Sequence, residues 1–193
     1  MKRFNIDPTA LLIFAAIVYL RSTKELLALL AAALVHELGH VAALSMMGER
    51  ITAFSFEKSG FAMEYAEELS AFALIIAALM GPVTGVVYTA LASALSNDAH
   101  DFWRVSADMS LLLSVYNLLP VSPLDGGRAC TAACCLALGS KRGEKTAGVI
   151  AASVKTLMLI AGIYLALKYR HYALLLAEIW LIVFTPRGRT SVR

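Results

Sequence analysis

The chain has 193 residues, of which 59% are hydrophobic and only 16% are charged. An ordinary soluble domain is about 25% charged. This composition excludes a disordered tail, a disulfide scaffold and a nucleic-acid-binding protein, and the net charge of +3 is too small to define a partner. Long apolar runs recur to the end of the sequence, so we predict an integral membrane protein whose solvent is the lipid bilayer.

Apolar segments along the chain predict an all-α polytopic membrane protein with a single membrane-embedded domain, residues 1–193. A transmembrane helix needs about 20 apolar residues, and fewer where protein surrounds it. The basic start of the chain is similar to a secretory signal, but no small-residue cleavage site follows, so we interpret the first segment as a retained span. The predicted transmembrane helices number about six and cover residues 6–20, 25–47, 70–96, 103–120, 146–167 and 172–185.

The distribution of Lys and Arg predicts the orientation, because these residues are enriched on the cytoplasmic side of membrane proteins. If the N-terminus is inside, eleven Lys and Arg residues, those of both termini included, fall on the cytoplasmic side and five on the opposite side, with Lys155 inside a span. We therefore expect a multi-pass protein with both termini in the cytoplasm.

Two connections between the spans are not simple loops. Residues 51–65 alternate apolar with small or polar residues around a turn containing Gly60, which predicts a β-hairpin at the membrane edge. Residues 120–128 hold two prolines and two glycines, which predicts a break in helical structure. A short helix over about residues 129–139 is expected to follow, lying along the membrane or dipping into it.

The most informative motif is His36-Glu37-Leu38-Gly39-His40 within the second predicted span. Residues four apart lie on one helix face, so both imidazoles can reach one metal ion. Glu37, about 100° around the helix, can act on a water in the site without being a ligand. An acidic residue at a helix centre in lipid costs about 2.5–3.5 kcal/mol, so an ion or polar partner is expected here.

A third ligand should be an imidazole or carboxylate at the same depth as the two histidines. The second predicted span runs towards the cytoplasm, and so does the fourth, which ends in the broken segment that carries Asp125. Irregular backbone at membrane depth is tolerated only where protein buries it or where it lines a wet cavity. Asp125 is thus the preferred third ligand, and Glu178 is the main competing candidate.

Three motifs in this order resemble the site-2 protease family of intramembrane zinc metalloproteases, peptidase family M50. They are the His-Glu-x-x-His motif, the Gly81-Pro82 pair, and Asn117-Leu118-Leu119-Pro120-Val121-Ser122-Pro123-Leu124-Asp125-Gly126-Gly127-Arg128. The chain is most like the bacterial sporulation-type branch, which has six spans and processes a membrane-associated pro-sigma factor. The resemblance implies a catalytic core over about residues 25–128, with accessory spans at 6–20, 146–167 and 172–185.

The resemblance also implies roles for individual residues. One Zn²⁺ would be held by His36, His40 and Asp125, with Glu37 as general base. Asn117 would help to hold the substrate carbonyl or the developing oxyanion. From its own position near a span end, Asn117 fits an interhelical hydrogen bond as well.

The hairpin is similar to the membrane-edge strands of the family, which are thought to receive unwound substrate as an added strand. The residues that would contact substrate are Phe54, Phe56, Phe61 and Met63. A surface hairpin that only shields the site is the alternative. The implied partners are a transmembrane or membrane-associated peptide substrate and inhibitory or adaptor proteins in a bacterial cell membrane.

The sequence departs from the family at two places. Val83-Thr84-Gly85 follows the Gly-Pro pair, where an Asn is common in the family. Only residues 186–193 follow the last predicted span, so we expect neither the C-terminal nucleotide-sensing domain usual in sporulation-type enzymes nor the inserted peptide-binding domain of other branches. We therefore expect substrate recruitment and regulation to come from partners or from the core itself.

Ionisable and thiol side chains elsewhere have simpler interpretations. Lys155 and Glu178 fall near the middle of their predicted spans, where an intramembrane ion pair is one interpretation and a polar wall beside a substrate gate is the other. The three cysteines at 130, 134 and 135 lack zinc-knuckle spacing and are expected to pack as apolar side chains.

Taken together, the sequence predicts a zinc-dependent intramembrane endopeptidase that cleaves its substrate near the cytoplasmic side. The substrate would be a pro-sigma factor or a similar membrane-associated regulator. The alternative is an intramembrane zinc transporter or sensor, although transporters often have broken helices in two related halves, and only one broken segment is evident here. An inactive scaffold is disfavoured because all four chemical positions are filled.

Overall fold

A computed structural model describes residues 4–6, 22–48, 51–57, 60–65, 69–170 and 172–184. This part of the chain forms six helices and three short strands. The predicted first span, residues 6–20, lies outside the described residues apart from its first residue. The helices are α1 (Thr23–Met46), α2 (Ala71–Leu95), α3 (Phe102–Asn117), α4 (Asp125–Leu138), α5 (Ser140–Tyr169) and α6 (Ala173–Phe184), and the strands are β1 (Phe4–Ile6), β2 (Ile51–Glu57) and β3 (Gly60–Tyr65).

Three of the described helices, α1, α2 and α5, are long and apolar enough to cross a membrane. Helices α3, α4 and α6 have only 16, 14 and 12 residues, fewer than the roughly 20 that a straight crossing needs. The membrane character is therefore confirmed in the helical part of the fold. The count of six spans stays a prediction.

Large apolar side chains on α1 face outward, away from the other helices. Leu27, Leu30, Leu34 and Leu38 are all exposed, and their spacing of three and four residues places them on one side of the helix. In water such a surface would mark an interaction site, whereas in a bilayer it is the face that contacts lipid. The opposite face of α1 carries the buried histidines.

Small residues allow α1, α2 and α3 to pack closely as antiparallel neighbours. The buried positions of these helices are mainly Ala, Gly and Ser, which let helix backbones approach each other in membranes. Ser110 Oγ donates to the carbonyl of Gly85 at 2.9 Å, and Ser106 Oγ lies 2.8 Å from the hydroxyl of Tyr88. Polar hydrogen bonds therefore add to the packing at the centre of this three-helix unit.

Strands β2 and β3 lie between α1 and α2 in the sequence, whereas β1 comes from the N-terminal segment before α1. Strand β2 pairs antiparallel with β3, with Phe54 opposite Met63 and Phe56 opposite Phe61. Strand β1 runs parallel to β2, which gives the order β1-β2-β3. The sequence analysis missed β1, because three residues carry no periodic pattern and their partner strand is far away along the chain.

The break after α3 is shorter than predicted, and that prediction was wrong in part. Helix α4 begins at Asp125, so the two glycines that follow lie in its first turn. A Cβ atom on Gly126 would overlap the carbonyl of Leu118, so glycine is needed there for the close approach of helix and loop. These glycines therefore start a tightly packed helix and do not extend the loop.

The irregular segment 118–124 rests on an apolar cluster that we call the loop-anchor cluster. Its buried members are Val121 and Leu124 from the segment, Met158 from α5 and Leu181 from α6. Tyr116, Leu119, Val154 and Leu174 pack against it. Helices α5 and α6 therefore support the chain immediately before Asp125.

Candidate metal centre

Helix α1 places two imidazoles on one buried face. The helix is started by a capping box in which Ser22 and Glu25 satisfy each other's backbone N–H groups. His36 and His40 follow one turn apart, and only 4% and 8% of their surfaces are exposed. The histidines share this face with small buried residues, so the neighbouring helix can come close to the imidazoles.

Asp125 reaches the same point from the far side of the chain. It is the first residue of α4, where a carboxylate is favoured by the positive end of the helix dipole. Its side chain is buried, with 8% of the residue surface exposed. The loop-anchor cluster, described above, holds the two apolar residues Val121 and Leu124 just before it.

Three potential ligand atoms converge between α1 and α4. Asp125 Oδ2 lies 3.0 Å from His36 Nε2 and 3.1 Å from His40 Nε2. The two Nε2 atoms are 3.2 Å apart. The sequence-predicted ligands therefore come together as one group, whereas the competing candidate Glu178 is not part of it.

The position of the proton on the neutral His40 ring favours a cation between the three converging atoms. His40 Nδ1 lies 2.7 Å from the backbone carbonyl of Ala77, and a carbonyl only accepts, so Nδ1 carries the proton. In the neutral imidazole, Nε2 then presents a lone pair to the Asp125 carboxylate. Such lone pairs repel each other unless a proton or a metal ion lies between them, as in a metal centre with an oriented histidine.

The donor set and its spacing fit zinc. Zinc takes His nitrogen and carboxylate oxygen at about 2.0–2.2 Å, and tetrahedral ligands at that distance are roughly 3.3 Å apart. The three observed separations of 3.0, 3.1 and 3.2 Å approach this value. Three protein ligands leave a fourth position for water or substrate, which is the arrangement of catalytic zinc sites.

The two histidines differ in their outer contacts. His40 is oriented by the Ala77 carbonyl, but His36 Nδ1 is buried and has no hydrogen-bond partner among the described residues. Ligating histidines generally donate their second N–H to a carbonyl, a carboxylate or water. The N–H of His36 Nδ1 can therefore donate one hydrogen bond to a further acceptor.

The two predicted catalytic residues lie outside the ligand group. Glu37 is half-buried, and its carboxylate is within electrostatic reach of both histidines, of Asp125 and of Arg128. Asn117, the last residue of α3, donates from its amide to the carbonyl of Leu113 at 3.1 Å. Glu37 is thus beside the metal-ligand atoms, and the roles of both residues stay predictions.

Close contact between α1 and α2 depends on residues that the sequence analysis did not assign to the site. A Cβ atom on Gly81 would overlap the His40 imidazole, and one on Gly39 would overlap Thr84 Oγ1. Thr84 Oγ1 also donates to backbone carbonyls, with Gly81 O at 2.8 Å and Val35 O at 3.3 Å. Thr84 therefore forms a polar contact just before His36, near the position where the family commonly has Asn.

No residue type identifies the Ala77 carbonyl as a site group, because every residue has one. Pro82 lacks the N–H that would bond to the carbonyl of Ala78, the residue after Ala77, so it does not identify the Ala77 carbonyl either. Cys135 is buried and its thiol lies 3.6 Å from the carbonyl of Ser140, whereas Cys130 and Cys134 are half-buried, so the apolar-packing interpretation of the cysteines stays a prediction.

A buried His-His-Asp cluster inside a helical membrane protein is the arrangement expected of a membrane metalloprotease. The sequence pattern of peptidase family M50 matches residues 56–162, more than half of the chain. The chain therefore belongs to peptidase family M50, whose members are zinc metalloproteases. Among curated protein sequences, no relative matches.

The fold is similar to that of the site-2 protease from Methanocaldococcus jannaschii. The two chains are 19% identical, and the alignment covers 98% of this chain and 94% of that chain with a TM-score of 0.69. At this identity the comparison establishes the shared fold. Together with the family match, it identifies the protein as an enzyme, a membrane metalloprotease.

Proposed function

We propose that this protein is a zinc-dependent endopeptidase that hydrolyses a transmembrane or membrane-associated substrate near the cytoplasmic side of the membrane. The observation that carries the proposal is the convergence of His36 Nε2, His40 Nε2 and Asp125 Oδ2 within about one ligand spacing of each other. Membership of family M50 favours hydrolysis over the alternative of a zinc transporter or sensor.

Zinc in this site would polarise the scissile carbonyl and make water acidic enough to ionise near neutral pH. The protein supplies the remaining steps. Glu37 takes the proton from the attacking water and passes it to the nitrogen of the leaving amine. Its half-buried position suits this transfer, because Glu37 follows His36 directly and is within electrostatic reach of the ligand group without belonging to it.

Charge that develops on the carbonyl oxygen needs a preorganised partner in a dry site. Asn117 is our candidate, since its amide is at the end of α3 and uses one N–H on Leu113. The second N–H of that amide can donate to substrate. The burial of the three ligands keeps bulk water from weakening these interactions.

Strand β3 is our candidate for the substrate-binding edge. Within the described sheet it has one strand neighbour, β2, so its other edge can accept an extended peptide. A substrate segment bound as an added strand exposes its peptide bonds, whereas a helical substrate segment keeps them in internal hydrogen bonds. The four candidate residues occupy opposed positions in this ladder, Phe54 with Met63 and Phe56 with Phe61.

The client and the cellular setting are further parts of the proposal. A pro-sigma factor or similar regulator in a bacterial cell membrane fits the motif resemblance, with both termini cytoplasmic as the charge distribution predicts. Recruitment and inhibition are assigned to other membrane proteins.

The test is Glu37→Gln, which keeps the size of the side chain and removes its basicity. We expect the variant to bind one zinc ion per chain like the wild type and to lose at least 100-fold in cleavage rate. Membrane proteomics of cells with either form should show one precursor that accumulates with the variant. Cleavage at the wild-type rate would remove Glu37 from its role, and zinc flux through vesicles without cleavage would favour a transporter.

A further inference from the structure

Helix α6 supplies none of the three ligand atoms, yet it supports the segment that ends at Asp125. Its buried Leu181 lies in the loop-anchor cluster with Val121 and Leu124, and Leu174 packs against the same cluster. The hydroxyl of Tyr116 also lies 3.5 Å from the carbonyl of Ala177. The contacts of α6 therefore extend from the end of α3 into the irregular segment.

A carboxylate lies on this same face of α6. Glu178 is placed between Leu174 and Leu181 at helical spacing, and its exposed fraction is 0%. Neither carboxylate oxygen has a hydrogen-bond partner among the described residues. A charge buried in this way is strongly destabilising unless an opposite charge compensates it.

Two groups on other helices act electrostatically on the carboxylate of Glu178. Lys155 on α5 is within electrostatic reach of Glu178, and so is the hydroxyl of Tyr116 on α3. Lys155 follows Val154 and precedes Met158 by three residues, and both of those side chains belong to or contact the loop-anchor cluster. Lys155 and Glu178 thus belong to the two helices, α5 and α6, whose apolar side chains pack with Val121 and Leu124.

We infer that Glu178 and Lys155 are positioning residues for Asp125: their mutual attraction keeps α6 against the loop-anchor cluster, and the cluster keeps the carboxylate of Asp125 at the two imidazoles. Removing Lys155 leaves the charge of Glu178 buried and uncompensated, which costs more than removing both partners. The segment 118–124 has no regular secondary structure to hold it, so a shift of α6 is transmitted to Asp125.

The inference rests on the proposed zinc site, and its test measures metal binding separately from proteolysis. The full chain is purified in detergent as wild type, Lys155→Met, Glu178→Met and the double variant. Lys168→Met is the matched control, because Lys168 is an exposed lysine on the same helix whose amine donates to Tyr164. Zinc affinity is measured by competition with a chelator, coordination by the visible absorption of the Co²⁺-loaded protein, and stability by thermal unfolding.

We expect each single variant to bind zinc about 10- to 100-fold more weakly, the range found when the support of a ligand is lost. The Co²⁺ absorption should change, the double variant should recover most of the affinity, and Lys168→Met should match the wild type. Glu178→Gln, which keeps the shape of the side chain, serves as a second variant where Glu178→Met does not fold.

Single variants that unfold at lower temperature but keep the zinc affinity and Co²⁺ spectrum would show that the pair is structural only, and would overturn the inference. A double variant as weak as the single variants would overturn the pairing. A wild-type chain that binds neither ion would overturn the proposed function and this inference with it.

Discussion

His40 Nε2 lies 3.1 Å from Asp125 Oδ2, although 85 positions separate the two residues in the sequence. Helix α1 fixes one end of this contact and the start of α4 fixes the other. Because the third atom of the group, His36 Nε2, is 3.0 Å from the same oxygen, one carboxylate oxygen joins both imidazoles. The convergence of the three atoms therefore depends on how α1 and α4 each pack against α2, the helix that contacts both.

Replacing Asp125 with Asn should weaken zinc binding at least 10-fold, because the neutral amide keeps the size of the side chain and removes its charge. The measurement is the zinc content after dialysis against a chelator. Asp108→Asn is the control, since Asp108 is an exposed carboxylate paired with Arg104 on α3. Equal zinc content in the two variants would exclude Asp125 as a ligand.

Replacing Gly81 with Ala should disturb the site without a change in any polar group. The new Cβ atom would overlap the His40 imidazole and force it to move, so we expect zinc affinity to fall about 10-fold or more. Gly148→Ala on α5 is the control, because a Cβ atom there meets nothing within 4 Å. The control should be neutral or stabilise its helix by up to about 1 kcal/mol.

A photo-crosslinking residue at Met63 tests the edge-strand proposal. In the Glu37→Gln background, where substrate is bound but not cleaved, we expect the group at Met63 to capture substrate. The control is the same group at Leu112, an exposed position on α3. Capture at Leu112 alone would instead support a hairpin that only shields the site.

Acidification should lower the stability of the folded protein by protonating Asp101, the N-cap of α3. Backbone N–H groups of Arg104 and Asn97 donate to its carboxylate and hold the pKa of Asp101 below its usual value of 3.8. Because the pKa is lower in the folded state, the ionised carboxylate stabilises that state at pH values above its ordinary pKa. This contribution is lost as the pH falls through the folded-state pKa.

Thermal unfolding measured from pH 5 downward should therefore show an acid-dependent loss in the wild type that is smaller in Asp101→Asn. An identical pH dependence for both proteins would show that the cap contributes nothing.

The sequence by itself determined that the protein lies in a membrane and that two of the three candidate ligands share a helix face. Scarce charge and recurring apolar runs identified a membrane protein, and helical periodicity alone required His36 and His40 to share a face. These are local properties, since each depends on residues within one helix. The alternation over residues 51–65, where β2 and β3 occur, is local in the same sense.

Only the tertiary structure decided which distant groups complete the site. Sequence left Asp125 and Glu178 as competing ligands, whereas packing brings Asp125 to the imidazoles and buries Glu178 on α6, outside the ligand group. It also supplied the Ala77 carbonyl and the bare surface of Gly81, which no pattern of residue types could single out. The physical reason is that a metal centre is a set of distances of about 3 Å, and those distances depend on how helices far apart in the sequence pack together.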